Sequence, residues 1–510
     1  MELNRRSVLL ASAAAVAATS MGGSSPASAE EAPAAVLAST KKAADAVARL
    51  REPILRISQE VWHSAELSLS EVKSAQIHIR ELEAAGFTIT SRGTSGVPTA
   101  FTAEWSQGSG GPKIGFLPEY DALPGLGNAP VAMKAPSADG NTVGHGCGHN
   151  MLGAGCTGAA FALKQMMQEA SAPGIVRVYG CAAEETEGAK VYMARDGLFN
   201  DLDAALAWHP APFAATGGVM TAAIRLAKVE FFGRTAHAGL DPWLGRSALD
   251  ALELFAHGIN NMREHVEPTA RIHYIFEATG VAVNVVPEYA SLFIAFREVD
   301  IPRVEALAQW AKEIADGAAL MTQTTSKFDV YIGLAPLIPN DPLAARLLAH
   351  INAVGVDHWT AEEQLFAKQC QKALNMAETG MATNALPLLP DTPVGGGTDV
   401  GDVSWNVPTA LFAWPTFPQG ISLHTWPVTA CGGMSIGDKA SIASATILAA
   451  TAFDLMTDPG LLKAAREEFE RRLAGRPYVN ALSPDRKQPL TLPAYLTKSA
   501  LDEVFTGVSA

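Results

Sequence analysis

This chain is organised around the segment Gly144-His145-Gly146-Cys147-Gly148-His149-Asn150. Cys147 and His149 are both metal-binding residue types, and the flanking glycines let the backbone come close to a bound ion. An apolar run of helical length, residues 151–167, follows at once, so Asn150 is the predicted N-cap of a helix. A lone Cys-x-His pair is more often a buried thiol beside a capping residue than a metal site. A metal site therefore needs further ligands elsewhere in the chain.

Polar residues follow three apolar segments that have the length of buried strands. The segments cover residues 113–118, 175–181 and 204–208, and the side chains that follow them are Glu119, Asp121, Glu184, Glu185 and His209. Continuous apolar strands that alternate with helices indicate a parallel sheet covered on both faces, whose ligands gather beyond the carboxyl ends of the strands. Singly, an acidic pair at a helix start or a core histidine is the more common explanation. Their coincidence at one end of a sheet predicts a functional site.

A second pattern interrupts the first between residues 222 and 335. Predicted strands and helices follow there in the order β-α-β-β-α-β, over residues 227–235, 247–264, 271–280, 289–298, 302–321 and 326–333. This is the order of a ferredoxin-like unit. The sequence thus predicts an α/β domain in two parts, residues 30–221 and 336–456, with a smaller inserted domain between them. A C-terminal helix and tail cover residues 457–510.

The first 29 residues have the pattern of an export signal. Paired arginines, Arg5 and Arg6, precede an alanine-rich apolar stretch that ends at Ala27-Ser28-Ala29, a small-residue cleavage pattern. Paired arginines before a modest apolar region are typical of a twin-arginine signal. Such a signal is recognised by an export receptor and does not anchor the protein in the membrane. A short disordered tail would not explain the cleavage pattern. We expect a protein that is exported to the periplasm or the extracellular space.

Composition excludes several classes of partner. The chain has 38 basic and 52 acidic residues and a net charge of −14, which argues against nucleic acid or an anionic membrane as partner. Outside the N-terminus no apolar run of about 18 residues suggests a membrane anchor. The length of 510 residues predicts two or more domains. Five cysteines are too few and odd in number for a disulfide framework, so at least one is unpaired and available to a metal.

Seven motifs, in this order along the chain, resemble those of the M20 family of metallopeptidases and amidohydrolases. They are Glu119-Tyr120-Asp121-Ala122-Leu123-Pro124-Gly125, His145-Gly146-Cys147-Gly148-His149-Asn150, Ala183-Glu184-Glu185, Trp208-His209-Pro210, Thr235-Ala236-His237-Ala238, Asn284-Val285-Val286-Pro287 and Thr398-Asp399-Val400-Gly401-Asp402-Val403-Ser404-Trp405. The resemblance is greatest to the branch that includes the aminobenzoyl-glutamate hydrolases and the aminoacylase and hippurate-hydrolase type enzymes. It implies a two-metal hydrolase domain with an inserted lid and dimerisation domain.

The resemblance also implies roles for residues of the main domain. Two divalent ions, zinc or manganese, are expected on five ligands: Cys147, His149, Glu185, His209 and His424. Thiolate, imidazole and carboxylate together suit such borderline first-row ions. Glu184 becomes the general base, and Asp121 orients a ligand imidazole. Many relatives have a ligand histidine at the position of Glu119, and its absence is typical of the cysteine-containing branch.

In the inserted domain the resemblance concerns catalysis and substrate binding. His237 matches a histidine that reaches the active site of the partner subunit, which implies a homodimer joined through the lid domain. Asn284 and Arg297 match positions that bind the substrate carboxylate, for which a guanidinium is a natural partner. An exposed strand arginine is the alternative explanation for Arg297.

The resulting functional hypothesis is a metal-dependent amidohydrolase of N-acyl or N-aroyl amino acids, such as conjugates similar to p-aminobenzoyl-glutamate. A metallo-dipeptidase or carboxypeptidase would use the same site. A catalytically silent metal-binding protein of the same fold is the third possibility, but it would not need Glu184 beside the ligand Glu185.

Overall fold

The computed structural model describes residues 33–491, which form two sheets and their covering helices. The α-helices are α1 (Ala34–Arg49), α2 (Arg51–Ser64), α3 (Val72–Ala84), α4 (His149–Ala170), α5 (Ala189–Arg195), α6 (Ala248–Met262), α7 (Ile301–Thr322), α8 (Asp341–Val354), α9 (Ala361–Ala373), α10 (Val400–Ser404), α11 (Trp426–Gly432), α12 (Ser435–Thr457) and α13 (Pro459–Leu473). The strands are β1 (Thr88–Arg92), β2 (Phe101–Gln107), β3 (Lys113–Phe116), β4 (Gly174–Gly180), β5 (Ala204–Ala211), β6 (Ala215–Met220), β7 (Ala223–Phe232), β8 (Arg271–Ala278), β9 (Tyr289–Glu298), β10 (Thr325–Leu334), β11 (Leu389–Pro393) and β12 (Thr409–Pro415). The predicted export signal lies outside the described residues.

The main sheet has eight strands in the order β1-β2-β4-β3-β5-β12-β6-β11. Its four central strands, β4, β3, β5 and β12, are parallel to one another. The predicted mostly parallel sheet is therefore confirmed. β5 continues three residues beyond Trp208, so His209 lies within the strand and not after it.

Helices α4 and α12 pack closely against each other over this sheet. Small residues allow the approach: a Cβ added at Gly155 of α4 would lie 2.3 Å from Ser444 Oγ of α12. α12 is the one helix of the described chain that is long and apolar enough to cross a membrane, and most of it is buried inside the protein. Its apolar composition thus follows from its place in the core, and its packing places the first turn of α4 over the sheet.

The inserted domain is a four-stranded antiparallel sheet in the order β10-β7-β9-β8, packed against α6 and α7. Numbered along the domain, this order is 4-1-3-2, so the predicted ferredoxin-like unit is confirmed. Apolar side chains of the two helices and of β7 and β9 form a core that is separate from that of the main sheet. Among the described residues β8 pairs only with β9, so no described strand covers its other edge.

The predicted N-cap of α4 was wrong. The helix begins at His149, two residues earlier than expected, because the N-cap is Gly148, which adopts a left-handed conformation with φ of 81°. Asn150 lies within the first turn, where its side-chain amide donates hydrogen bonds to the carbonyls of Ser58 and Gly432. It therefore ties α4 to α2 and to the end of α11 instead of capping its own helix.

Candidate metal centre

The candidate site lies at the carboxyl end of the central parallel strands. Asp121 follows β3, Glu184 and Glu185 follow β4, and His209 belongs to β5. Cys147 and His149 come from the turn that starts α4, and His424 comes from the loop between β12 and α11. The structure brings these side chains together although their elements are far apart in sequence.

The five proposed ligand side chains form two groups that share one sulfur atom. The ligand atoms of Cys147, His149 and His209 all lie within 4.8 Å of one another, and so do those of Cys147, Glu185 and His424. Cys147 Sγ is 3.5 Å from His209 Nε2, and Glu185 Oε1 is 3.4 Å from His424 Nε2. Each of the two groups could hold one divalent ion, and Cys147 would be a ligand in both.

Hydrogen bonds on the outer side of two imidazoles set their orientation. His149 Nδ1 lies 2.8 Å from Asp121 Oδ1, and His209 Nδ1 donates to the carbonyl of Pro210 at 2.8 Å. The Nε2 atom of each ring is thereby turned towards the site, as metal ligation requires. Asp121 is itself fixed, because its Oδ2 accepts hydrogen bonds from Ser68 Oγ and from the backbone N–H of Glu185.

Unpaired polar atoms test whether these residues fit metal ions. Among the described residues, His149 Nε2 and Glu185 Oε1 are buried and have no hydrogen bond. Buried polar atoms are nearly always paired, so one such atom in each of the two ligand groups indicates a missing partner there. A sulfur, imidazole nitrogens and a carboxylate oxygen are the donors that zinc and similar ions prefer. The residues present thus fit two divalent ions.

Two residues of the site have backbone conformations that are unfavourable for their type. Ala183, immediately before Glu184, has φ of 57°, and His424 has φ of 61°. Left-handed conformations at non-glycine residues cost about 1 to 3 kcal/mol each and persist where neighbouring contacts fix them. The N–H of Ala183 donates to Glu71 Oε1 at 2.6 Å, and that of His424 donates to the Gly146 carbonyl at 2.8 Å. These contacts hold the base and a ligand in place.

Glu184 lies outside the two groups that contain Cys147, but its carboxylate forms a third group with His149 and Glu119, whose ligand atoms also lie within 4.8 Å of one another. Its Oε2 is 3.9 Å from His149 Nε2. Burial, together with the negative charges of Glu119 and Asp399, holds the pKa of Glu184 well above its ordinary value. A buried carboxylate with a raised pKa next to a metal centre can exchange protons near neutral pH.

A buried lysine behind Glu184 was missed by the sequence analysis. Lys190 is fully buried in α5, and its Nζ contacts Glu119 Oε1 at 2.7 Å and Asp399 Oδ1 at 2.5 Å. It balances two carboxylates that would otherwise be unpaired inside the protein. The only local signal was a lysine between apolar residues shortly after Glu184-Glu185, since its partner Asp399 is 209 residues away.

The structure does not bring the three predicted residues of the lid domain to this centre. Within residues 33–491, no hydrogen bond or ion pair joins His237, Asn284 or Arg297 to the five proposed ligands. His237 and Asn284 lie together on exposed loops, where the N–H of Ala238 donates to the Asn284 carbonyl at 3.0 Å. Arg297 is half-buried in β9 and donates only to the Gly395 carbonyl, at 3.3 Å.

Comparison with known proteins finds relatives along most of the chain. A model of peptidase family M20/M25/M40 matches residues 116–475. One p-aminobenzoyl-glutamate hydrolase subunit of Escherichia coli is 36% identical over 461 residues, which cover 85% of this chain and 95% of that protein. The Xaa-Arg dipeptidase of Mus musculus is 28% identical over 458 residues, which cover 86% and 94%. A crystal structure of a dinuclear metal binding peptidase of the M20 family from Bacillus subtilis has a TM-score of 0.51 and 18% identity, covering 80% of this chain and 98% of that one.

Proposed function

Since the chain belongs to peptidase family M20/M25/M40 and is a hydrolase that acts on amide bonds, we propose that it cleaves N-acyl or N-aroyl amino acids. Conjugates similar to p-aminobenzoyl-glutamate are the first candidates, because a relative with 36% identity is named for that substrate. The family predicted from the motifs is thus confirmed. The observation that carries the proposal is the pair of ligand groups that share Cys147, with the carboxylate of Glu184 beside them.

The residues of the site would have different roles in amide hydrolysis. Cys147, His149 and His209 would hold one divalent ion, zinc or manganese, and Cys147, Glu185 and His424 the other. Such ions, when bound, supply Lewis acidity that activates water and stabilises a developing oxyanion. Glu184 takes a proton from the attacking water and returns it to the leaving amine nitrogen. Asp121 keeps the His149 ring in the tautomer and orientation that ligation needs.

We propose that the lid domain binds the substrate carboxylate and joins two copies of the chain. Arg297 has no carboxylate partner among the described residues, so its guanidinium is available to an anionic substrate. The edge of β8 that no described strand covers and the exposed apolar side chains of Ile275 and Phe276 on this strand support a contact with a second copy. In such a homodimer His237 and Asn284 would serve the site of the partner.

A substrate screen tests the proposal. The mature chain is loaded with zinc or manganese and offered N-acyl and N-aroyl amino acids, and release of the amine is measured. The variant Glu184→Gln should keep both ions and lose turnover by about 10²- to 10⁴-fold. The control Glu169→Gln, at an exposed carboxylate of α4, should behave as the parent. Failure to hydrolyse any amide, with metals bound, would favour the catalytically silent protein.

A dipeptidase is the second candidate, because the Xaa-Arg dipeptidase of Mus musculus matches 86% of the chain. Dipeptides differ from N-acyl amino acids in their free amino group. A comparison of kcat/KM for Xaa-Arg dipeptides and for the same amino acid blocked by an acyl group separates the two activities. A preference for the free amino group would replace our first candidate.

We also propose export by the twin-arginine pathway, on the basis of Arg5 and Arg6 before the apolar stretch. Replacement of both by lysine should retain the precursor inside the cell, as judged by fractionation. Unchanged export of the variant would refute the proposal.

A further inference from the structure

The C-terminal tail, residues 474–491, runs from the end of α13 across both domains. Tyr478 donates to Asp402 Oδ1 at 2.8 Å, and Asn480 Nδ2 donates to the carbonyl of Val191 in α5 at 2.8 Å. Further along, Arg486 pairs with Asp329 of strand β10 in the lid domain at 2.5 Å. The tail thus contacts the lid domain and helix α5. This helix directly follows the loop that carries Glu184 and Glu185, called the catalytic loop below.

The main domain packs closely against the backbone of this tail. Gly96 has φ of 83°, and a Cβ at this position would lie 2.0 Å from the backbone oxygen of Lys487. Any side chain at residue 96 would therefore displace the tail. Leu482 is buried in the core of the main sheet, which anchors the middle of the tail.

The last described residues of the tail lie at a buried carboxylate of the loop between β4 and α5. Glu187 is only 1% exposed, and its oxygens accept hydrogen bonds from the N–H of Leu490 at 2.9 Å and from the N–H and Oγ1 of Thr491, each at 2.5 Å. The hydroxyl of Tyr192 supplies the fourth hydrogen bond, at 3.0 Å. Three of the four donors to Glu187 thus belong to the tail.

Glu187 is two residues beyond Glu185, in the loop that carries both catalytic carboxylates. The first half of this loop is fixed from within the main domain, because Glu71 accepts from the N–H of Ala183 and Asp121 accepts from that of Glu185. The second half is fixed through the side chain of Glu187, and there the donors come mainly from the tail. Without them Glu187 would be a buried carboxylate with a single partner, and the loop would have to move to expose it.

We propose that the tail is a positioning element of the active site, which sets the direction of Glu184 and Glu185 by binding Glu187. This proposal rests on the proposed function, in which Glu184 is the base and Glu185 a metal ligand. Neither Glu187 nor the tail touches the substrate. Their effect is on the geometry of the two neighbouring carboxylates, to which both turnover and metal affinity are sensitive.

Two truncated chains that differ by three residues provide the test. One ends at Gln488 and lacks Leu490 and Thr491, and the other ends at Thr491 and retains every donor to Glu187. We expect the longer chain to match the full-length protein. In the shorter chain kcat should fall by about 10- to 100-fold with KM within about threefold, as for a misplaced catalytic group. Zinc titration should show one of the two ions bound about 10- to 100-fold more weakly.

Point variants in the full-length chain keep the test valid if the shorter chain does not fold. Glu187→Gln should lower kcat and weaken the binding of one zinc ion in the same way. Thr491→Ser should retain the kcat and the zinc affinity of the parent, and Thr491→Val should not. Equal kcat and equal zinc affinity for the two truncated chains, or a Glu187→Gln variant identical to the parent, would overturn the proposal. If no amide is hydrolysed by any form, the proposed function fails, while the zinc titration alone still decides the role of the tail.

Discussion

The main sheet and the lid domain differ in how completely a single chain assembles their proposed functional residues. At the main sheet, the five proposed ligand side chains, the proposed base Glu184 and Asp121 converge on one place, where His424 alone of the five ligands is exposed. In the lid domain, His237 and Asn284 are exposed and Arg297 has no carboxylate partner among the described residues. Both regions carry motifs of the same family, yet only at the main sheet do the residues of these motifs lie together in one site.

Under the proposed function, this difference predicts that a single chain binds the metal ions by itself but does not by itself complete the site for the substrate. The ligands are positioned by strand ends and by a helix start that share one hydrophobic core. The lid domain has its own core and holds the three proposed residues on loops and on the inner strand β9. They meet the centre only if the domain moves or a second copy supplies them. The two regions should therefore respond differently to substitution.

The largest effect is expected at Cys147, the residue common to both ligand groups. Cys147→Ala should lower kcat/KM by at least about a thousandfold, since metal ions supply several kcal/mol of transition-state stabilisation. The variant should also lose affinity for both ions in a zinc titration. Cys156→Ala, in helix α4 and buried without a place in either group, is the matched control and should change kcat/KM by less than about twofold. Similar losses in the two variants would show that the sulfur of residue 147 has no special role.

A smaller effect is expected at Arg297, because its replacement should affect only the binding of the substrate carboxylate. Arg297→Ala should reduce kcat/KM for N-acyl amino acids by about 10- to 100-fold, the value of a charge-assisted hydrogen bond, and leave zinc affinity unchanged. Arg271→Ala is the control, because Arg271 lies opposite Arg297 in β8 and binds only backbone carbonyls. Substrates with a carboxamide in place of the carboxylate should not distinguish the variant from the parent. If they do, Arg297 acts on the fold and not on the substrate.

The smallest effect concerns Glu71, which supports the catalytic loop from the main domain. Burial and the nearby charge of Asp121 raise the pKa of Glu71 to about 8, so the folded chain holds a proton there that the unfolded chain releases near pH 4.5. Between these values the unfolded state binds fewer protons, and the free energy of unfolding must fall as the pH rises. Glu71→Gln does not titrate, so the metal-free parent should lose stability relative to this variant from pH 5 to pH 8. Parallel denaturation curves over that range would contradict the expected pKa.

The residues that sequence alone identified share a simple physical feature. Glu184, Glu185 and His209 stand at or near the ends of strands that are mostly apolar, and parallel strands bring their carboxyl ends together. Cys147 and His149 were recognisable because glycines surround them just before a long apolar helix. His424 had no such local signal and was placed only by the resemblance to the family.

The residues that were missed act through contacts between distant parts of the chain. Glu71 and Ala183 are 112 residues apart, and Glu187 and Thr491 are 304 apart. A buried charge can be recognised only when its partner is known, and no local pattern shows such a partner. The N-cap of α4 was misplaced for another reason, because Gly148 in its left-handed conformation is the N-cap and the helix starts two residues earlier than expected.

The account depends most on the sharing of Cys147 between two ions, and cobalt titration tests this directly. Cobalt is added to the metal-free mature chain while the sulfur-to-cobalt absorption band is recorded, with Cys147→Ser as the comparison. We expect two equivalents per chain, a band that grows through both of them, and no band in the variant. Binding of a single equivalent, or a band that is unchanged in Cys147→Ser, would contradict the shared thiolate.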